Sequence, residues 1–283
     1  MNTVVQARGM SKRYGDFDAL QQVDFDIEAG SIVGLIGPNG AGKTTALKAL
    51  LGLTKFSGDL EVLGMDPRHG RHEIMKRVCF IADVGVLPRW LKVSEALDYI
   101  EGVHPGFDRA KAEALLEDTK ISPRQRVKQL SKGMVTQLHL ALVMAIDVEL
   151  LVLDEPTLGL DILYRKTFYE RLVNDYFDHN TSIIISTHQV EEIESLLTHL
   201  IFIDEGRIVL SSSMEDLPNK YEEVLVAPEN IERALEYSPI HSREMLGKRS
   251  MIFEDVSKET LISLGELHTP SVADLFVAKM RRA

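Results

Sequence analysis

A single cysteine, Cys79, in 283 residues leaves no internal disulfide to form, which excludes a disulfide-stapled scaffold. Long apolar runs are missing as well. The most apolar stretch, Leu138 to Leu153, is interrupted by His139, Asp147 and Glu149 and falls short of the ~20 residues a membrane-spanning helix needs. Positive charge is in deficit: 32 Lys and Arg against 43 Asp and Glu give a net charge of −11, so no nucleic-acid partner is expected. The first residues, MNTVVQARGMSKRYG, carry no apolar core behind a basic end, and the expectation is a chain that stays in the cytoplasm. No repeat of ~20–50 residues and no low-complexity tract is present. What remains, 45% hydrophobic and 27% charged residues, is the composition of a folded globular chain and excludes disorder. The length allows two domains of ~150 residues, or one large α/β domain with an appendage.

Along the chain, Val4 to Ala7 and the alternating Val23 to Ile27 read as strands, closed by the turn Glu28-Ala29-Gly30. Ser31 to Ile36 is a short apolar run between Gly30 and Gly37, as expected of a strand covered on both faces. Gly42 to Leu51 then has a helix-favouring composition. From about Pro88 to Ala145 the pattern is helical, with helices expected over Val93 to Ile100, Arg109 to Leu116 and Ser131 to Ala145. Strand-like runs return at Leu150 to Leu153, Ser182 to Ser186 and Leu200 to Ile203, with helices expected near Tyr164 to Phe177 and Val190 to Leu197. That alternation implies a mainly parallel, covered sheet. Beyond Leu217-Pro218-Asn219 the pattern reads as a small α+β appendage.

Gly37-Pro38-Asn39-Gly40-Ala41-Gly42-Lys43-Thr44, followed by Thr45, satisfies G-x-x-x-x-G-K-[ST] and lies between an expected strand and an expected helix, the context that confirms this phosphate-binding motif. Its glycines let backbone N–H groups turn toward phosphates, the helix start favours negative charge, Lys43 is placed for the β and γ phosphates, and the Thr44 hydroxyl for Mg²⁺. Leu150 to Leu153 is an apolar strand that ends in Asp154 and Glu155. In a parallel sheet the C-terminal strand ends form the ligand crevice, which puts Asp154 on Mg²⁺ and Glu155 beside a water attacking the γ-phosphate. No His/Cys metal motif is present: His69 and His72 stand three apart without partners.

Taken together, these segments resemble the ATP-binding subunit of an ABC transporter over about residues 2 to 215. Leu130-Ser131-Lys132-Gly133-Met134 occupies the place of the family's LSGGQ signature. The resemblance implies that Ser131 and the Gly133 N–H bind the γ-phosphate held by an opposite subunit; by composition Ser131 is also a helix N-cap, and the two roles are compatible. Leu158-Gly159-Leu160-Asp161 resembles the D-loop, with Asp161 at the subunit junction. Ile183 to His188 resembles the switch strand, whose histidine contacts the γ-phosphate. Tyr14 matches the aromatic that stacks on adenine, although by composition it is equally a packed strand aromatic. Pro270 to Val277 resembles a C-terminal segment of exporter ATPases.

There are departures. Aligned with the family's Q-loop, Val78 to Asp83 puts Asp83 where a glutamine coordinates Mg²⁺ and senses the membrane subunit; a carboxylate can bind Mg²⁺ too, with full charge and shorter reach. In the signature Lys132 replaces glycine and Met134 replaces glutamine. Lys132 then either adds positive charge near the γ-phosphate or is simply solvated. Trp90, the one tryptophan, is either an anchor for a membrane partner or buried in the helical part.

The fold expected is an α/β P-loop NTPase of ABC type: a mainly parallel sheet core, an antiparallel β subdomain, a helical insertion and a small α+β C-terminal appendage. Its expected domains are 1–216, with the helical part at about 88–145, and 217–283. The function implied is an ATPase with ATP and Mg²⁺ as cofactors. It would be peripheral on the inner face of the cell membrane through a separately encoded permease, and it would form a head-to-tail homodimer when ATP is bound. The alternative is a soluble ABC-type ATPase acting on a cytosolic assembly. Only one P-loop and no sustained heptads are present, which weighs against tandem and coiled-coil forms of that alternative.

Overall fold

The computed structural model describes residues 2–81, 87–117, 119–158, 160–177, 181–245 and 247–280. It opens on two long strands, β1 (Thr3–Tyr14) and β2 (Phe17–Glu28), which pair antiparallel; β4 (Ser57–Val62) adds to β1, giving the order β2-β1-β4. The hairpin runs further than the apolar alternation alone suggests, because Ser11 to Tyr14 and Phe17 to Ala19 pair as strand despite their charges. In β2, Val23, Phe25 and Ile27 are buried while Asp24 and Asp26 face outward, the alternation of a one-sided sheet.

The central sheet has six strands in the order β5-β6-β7-β3-β8-β9, with β3 (Ile32–Ile36), β5 (Val78–Ile81), β6 (Leu150–Asp154), β7 (Ser182–Thr187), β8 (His199–Asp204) and β9 (Arg207–Ser213). Five run parallel and β9 closes the edge antiparallel. β3, β6 and β7 are buried throughout, the reason their sequences are aliphatic without alternation. Register pairs Ile36 with Thr187 and Asp154 with Ser186. The C-terminal ends of these three strands therefore meet on one edge.

α1 (Lys43–Leu50) follows β3, and α2 (Pro67–Arg77) precedes β5 with Asp66 as its N-cap. The helical layer comprises α3 (Val93–Val103), α4 (Arg109–Glu117) and α5 (Lys132–Met144), packed around Val93, Leu97, Leu116, Leu138 and Leu142. α6 (Ile162–Arg171) starts two residues before the expected helix and continues as a π-helical turn over Leu172–Tyr176. The helix expected at Val190 to Leu197 is instead two 3-10 turns, Val190–Glu192 and Glu194–Leu196. Glu191, Glu192 and Glu194 crowd like charge into that segment, and two of them serve tertiary partners: Glu192 holds Arg165 (2.7 Å) and Glu194 accepts from the Val272 N–H (3.0 Å).

The C-terminal part contains the short α7 (Leu217–Lys220), α8 (Ile231–Leu235) and α9 (Lys258–Leu261), and the longer α10 (Val272–Met280). Its antiparallel sheet has the order β11-β12-β10-β13, with β10 (Tyr221–Val226), β11 (His241–Met245), β12 (Lys248–Glu254) and β13 (Gly265–His268). Val224, Met251, Phe253 and Leu264 form its own small core. Tyr221, Ile252 and Leu275 belong instead to the large core that contains Leu153, Ile185 and Phe202. Phe276 meets Phe202 edge-on at 5.2 Å between ring centroids, so α10 is continuous with the central packing. Among the described residues no helix is long and apolar enough to cross a membrane.

Candidate functional site

The loop after β3 turns sharply into α1. Its N-cap Gly42 has φ of 113°, and a Cβ there would come within 2.6 Å of the Ala19 carbonyl oxygen, so only glycine allows both the backbone conformation and the approach of β2. No side chain caps α1, which leaves its first N–H groups facing outward as anion donors. Lys43 is only 6% exposed; its ammonium donates to the carbonyls of Gly37 (2.7 Å) and Pro38 (3.2 Å) and lies 3.4 Å from Glu155 Oε1. A buried cation held this way is aimed along the loop and cannot wander.

Across the strand ends, the Thr44 hydroxyl donates to Asp154 Oδ2 (2.8 Å) and the Ser186 hydroxyl to Asp154 Oδ1 (2.5 Å). Asp154 is buried, and each of its oxygens has a donor. Glu155 follows with φ of 49°, a left-handed conformation that costs a non-glycine residue on the order of 1 kcal/mol. Its N–H donates to Ser186 O (3.1 Å) and Ser186 Oγ (3.2 Å), which holds the turn. That turn aims the Glu155 carboxylate back at Lys43 and at His188, whose Nδ1 lies 3.0 Å from Oε2 and 3.1 Å from Oε1. Thr157 braces the same turn through Tyr169 (3.2 Å between oxygens), a phenol whose pKa burial drives above its ordinary value.

Of these groups Lys43, Thr44 and Glu155 line a groove of about 260 Å³, together with Tyr14, Phe17, Asn39 and Thr45 among others. Tyr14 is 47% exposed on the groove wall, its hydroxyl 3.3 Å from Thr54 Oγ1, which overturns the alternative of a packed strand aromatic. A second cavity of about 90 Å³, lined by Leu140, Met144, Leu160 and Phe168 among others, has neither the lysine nor the carboxylates. Cys79 is buried, and burial pushes its thiol up to about 12.

The donor set suits a small hard cation: a hydroxyl and a carboxylate on adjoining elements, without the three or more His, Cys, Asp or Glu side chains of an all-protein cage among the described residues. Asp83 lies outside the described residues. Ser131 caps α5, its Oγ accepting from the Met134 N–H (3.2 Å), and Asp161 caps α6, accepting from the Tyr164 N–H (3.1 Å). Among the described residues no hydrogen bond or ion pair ties Ser131, Gly133 or Asp161 to the groove. Lys132 is exposed. Trp90 is 67% exposed, so its burial in the helical layer is overturned.

Ser186, Phe17 and the Arg165 relay are the contributions that sequence reasoning does not assign. Arg165 donates to Leu160 O (2.8 Å), Gln189 Oε1 (2.5 Å) and Glu192 Oε1 (2.7 Å), joining the segment after His188 to the residue before Asp161. Ser186 did carry a signal, as a hydroxyl in an otherwise aliphatic buried strand.

Comparison with known proteins gives a family model described as ABC transporter that matches residues 20–158. A Nod factor export ATP-binding protein of Cupriavidus metallidurans is 35% identical over 230 residues, 77% of this chain and 73% of that protein. A daunorubicin resistance ATP-binding protein of Streptomyces coeruleorubidus is 32% identical, over 76% of this chain and 70% of its own. Among solved structures, the ATP-binding subunit of an ABC transporter superposes with a TM-score of 0.69 at 26% identity, covering 77% of this chain and 92% of that one. A bacterial Atm1-family ABC exporter with ATP bound superposes with a TM-score of 0.67 at 20% identity, over 77% of this chain and 40% of that one, a likeness of fold.

Proposed function

This chain belongs to the ABC transporter family as an exporter-type ATP-binding ATPase, and from that premise we propose that it hydrolyses ATP in the groove at the ends of β3, β6 and β7 to drive a separately encoded membrane permease. One observation carries the assignment of residues: Lys43, Asp154, Glu155 and His188, from three different strand ends, converge within hydrogen-bonding or ion-pair distance of one another or of Thr44.

Adenine stacks on Tyr14, and the phosphates lie along Gly37 to Thr45 on the N–H groups of the loop and of the α1 start. Lys43 binds the β and γ phosphates. Thr44 and Asp154, with Asp83 as a further candidate, would hold Mg²⁺, which when bound would supply charge neutralisation on the phosphates. Glu155 orients the attacking water and takes its proton as the new P–O bond forms and the β–γ bridge breaks; the proton then leaves with phosphate. His188 fixes the Glu155 carboxylate from the other side and reaches the γ-phosphate. Ser131 and Gly133 complete the site from a second copy in an ATP-bound head-to-tail dimer, with Asp161 at the junction. In that state ATP joins the protomers and hydrolysis releases them, giving the permease two states to follow. The domain division at about residue 216 and attachment to the inner membrane face through the permease belong to the same reading.

The test is Glu155→Gln. ATP binding is retained, turnover falls at least about 100-fold, the scale of a lost general base, and an ATP-dependent dimer accumulates in size exclusion. Normal turnover in the variant removes Glu155 from the role of base. Tagged Glu155→Gln recovered with ATP from solubilised membranes carries a polytopic membrane protein at near-equal stoichiometry; recovery of the self-dimer or soluble assemblies alone points to a cytosolic ATPase.

A further inference from the structure

The reading of the groove leaves residues 217–283 without a role, yet their last helix reaches the segment that carries His188. Among the described residues the exposed His188 ring has hydrogen-bonding contact with Glu155 alone, so its aim is set by the backbone on either side of it. That backbone leaves β7 at Thr187, whose Oγ1 accepts from the Gln189 N–H (2.9 Å), and enters the 3-10 turns Val190–Glu192 and Glu194–Leu196. Short 3-10 turns have poor hydrogen-bond geometry, and three glutamates repel one another in this segment. Tertiary partners hold it in place.

The first partner is Arg165 of α6, on Gln189 and Glu192. The second is α10. Val190, Ile193 and Leu197 join Val272, Leu275 and Ala278 in the large core, and α10 packs directly on the Val190–Glu192 turn. Glu194 Oε1 accepts from the N–H of Val272, the first residue of α10, at 3.0 Å. A helix start has free N–H donors and favours negative charge, so this carboxylate is doubly suited to its place. Ser271 takes a different donor, the Asp274 N–H at 3.1 Å, so it does not replace Glu194. The helix is itself gripped by the rest of the appendage: Arg243 of β11 donates to Asp274 (2.7 and 3.1 Å), and Lys279 donates to Glu254 of β12 (2.8 Å). Contacts therefore run without a gap from the C-terminal sheet through α10 and Glu194 to the turns beside His188.

We propose that Glu194 is a positioning residue for ATP hydrolysis: by holding the start of α10 it fixes the turns next to His188, so that residues 217–283 keep His188 against Glu155 in their own protomer. The inference rests on the groove being the hydrolytic site, and it assigns the appendage a part in turnover. Glu194 does not line the groove, so its loss leaves nucleotide binding intact. Attachment of the appendage does not depend on it either, since Leu275 is buried in the large core and Phe276 packs on Phe202. A contact that only anchors the appendage changes stability and leaves kcat alone. A contact that positions His188 lowers kcat, because a misplacement of about 1 Å can cost about 100-fold in rate.

The test is steady-state ATP hydrolysis by the full-length chain carrying Glu194→Ala, Val272→Pro or both, assayed well below the melting temperature of each variant. Proline is tolerated at the first position of a helix, so Val272→Pro removes the N–H and keeps α10. Each single change lowers kcat about tenfold while KM for ATP stays within about twofold of wild type. Both changes delete the same hydrogen bond, and the double variant therefore falls no further. Glu194→Gln keeps an acceptor oxygen and retains about half or more of the wild-type kcat. Unaltered kcat in Glu194→Ala, equal losses in Glu194→Ala and Glu194→Gln, a double loss equal to the product of the two single ones, or a raised KM with kcat intact overturns the proposal. If Val272→Pro melts below the assay temperature, the Glu194→Ala and Glu194→Gln pair decides alone. Glu155→Gln is assayed beside them: normal turnover there removes the hydrolytic reading itself, whereas arrest there with a silent Glu194→Ala removes only the role of Glu194 and the appendage.

Discussion

Removing one hydroxyl, Ser186→Ala, tests the architecture of the site more directly than changing a charged residue. Ser186 is fully buried, and its Oγ donates to Asp154 Oδ1 at 2.5 Å while accepting from the Glu155 N–H at 3.2 Å. Asp154 is 2% exposed, so water cannot readily replace the lost donor. A hydrogen bond to a charged group contributes about 1.5–3 kcal/mol, and that is the expected loss in unfolding free energy. The Glu155 N–H keeps Ser186 O at 3.1 Å and is not orphaned, so no second penalty is added. At roughly 2 °C per kcal/mol for a chain of this size, the melting temperature falls by about 3–6 °C. Urea unfolding followed by far-UV circular dichroism is the suitable assay, because Trp90, at 67% exposure, reports poorly on burial. Affinity for ATP falls severalfold with Mg²⁺ present and is unchanged without it, since the hydroxyl orients the carboxylate that would bear the cation. A loss below about 0.5 kcal/mol, within the scatter of surface changes, together with unaltered Mg²⁺ dependence, refutes the claim that Ser186 positions Asp154.

Tyr14→Ala weakens ATP binding by about 1–3 kcal/mol, the scale of base–aromatic stacking, whereas Tyr14→Phe keeps it, as the Thr54 contact at 3.3 Å is exposed; equilibrium binding of labelled ATP measures both. Leu275→Ala costs about 2–5 kcal/mol in urea unfolding, because Leu275 is buried in the large core; a silent result would mean that α10 is not part of that core's stability. Glu254 is raised by burial but held below the usual carboxylate range overall by hydrogen bonds from Lys279 and Tyr221, both 2.8 Å. A depressed folded value stabilises the fold above the unfolded glutamate value of about 4.3 and loses that contribution as pH falls through the folded value. Glu254→Gln should therefore flatten the acid side of the stability profile, and an unchanged acid slope would remove this residue from it.

Much of this protein is legible without coordinates, for a local reason. The phosphate loop is contiguous, because backbone N–H groups, a lysine and a hydroxyl must follow one another through a single tight turn, and so Gly37 to Thr45 could be read directly. Buried parallel strands announce themselves as unbroken aliphatic runs, which located β3, β6 and β7. Placing Asp154 and Glu155 at a strand end needed only the rule that ligands gather at the C-terminal edge of such sheets. What tertiary structure alone decided depends on register and on contacts between distant segments. Ser186 reaches Asp154 because β6 and β7 are paired Asp154 to Ser186, and no local pattern encodes a register between strands about 30 residues apart. Trp90 and Tyr14 could each be core or surface until their neighbours were in place, since an aromatic ring is apolar in both settings. The segment Val190 to Leu197 has helical spacing, yet Arg165 and the Val272 N–H claim its glutamates, and the tertiary partners override the propensity. The turn after α1 and the start of α2 come into contact only because Gly52 has no Cβ to collide with the carbonyl of Pro67, 15 residues on in sequence.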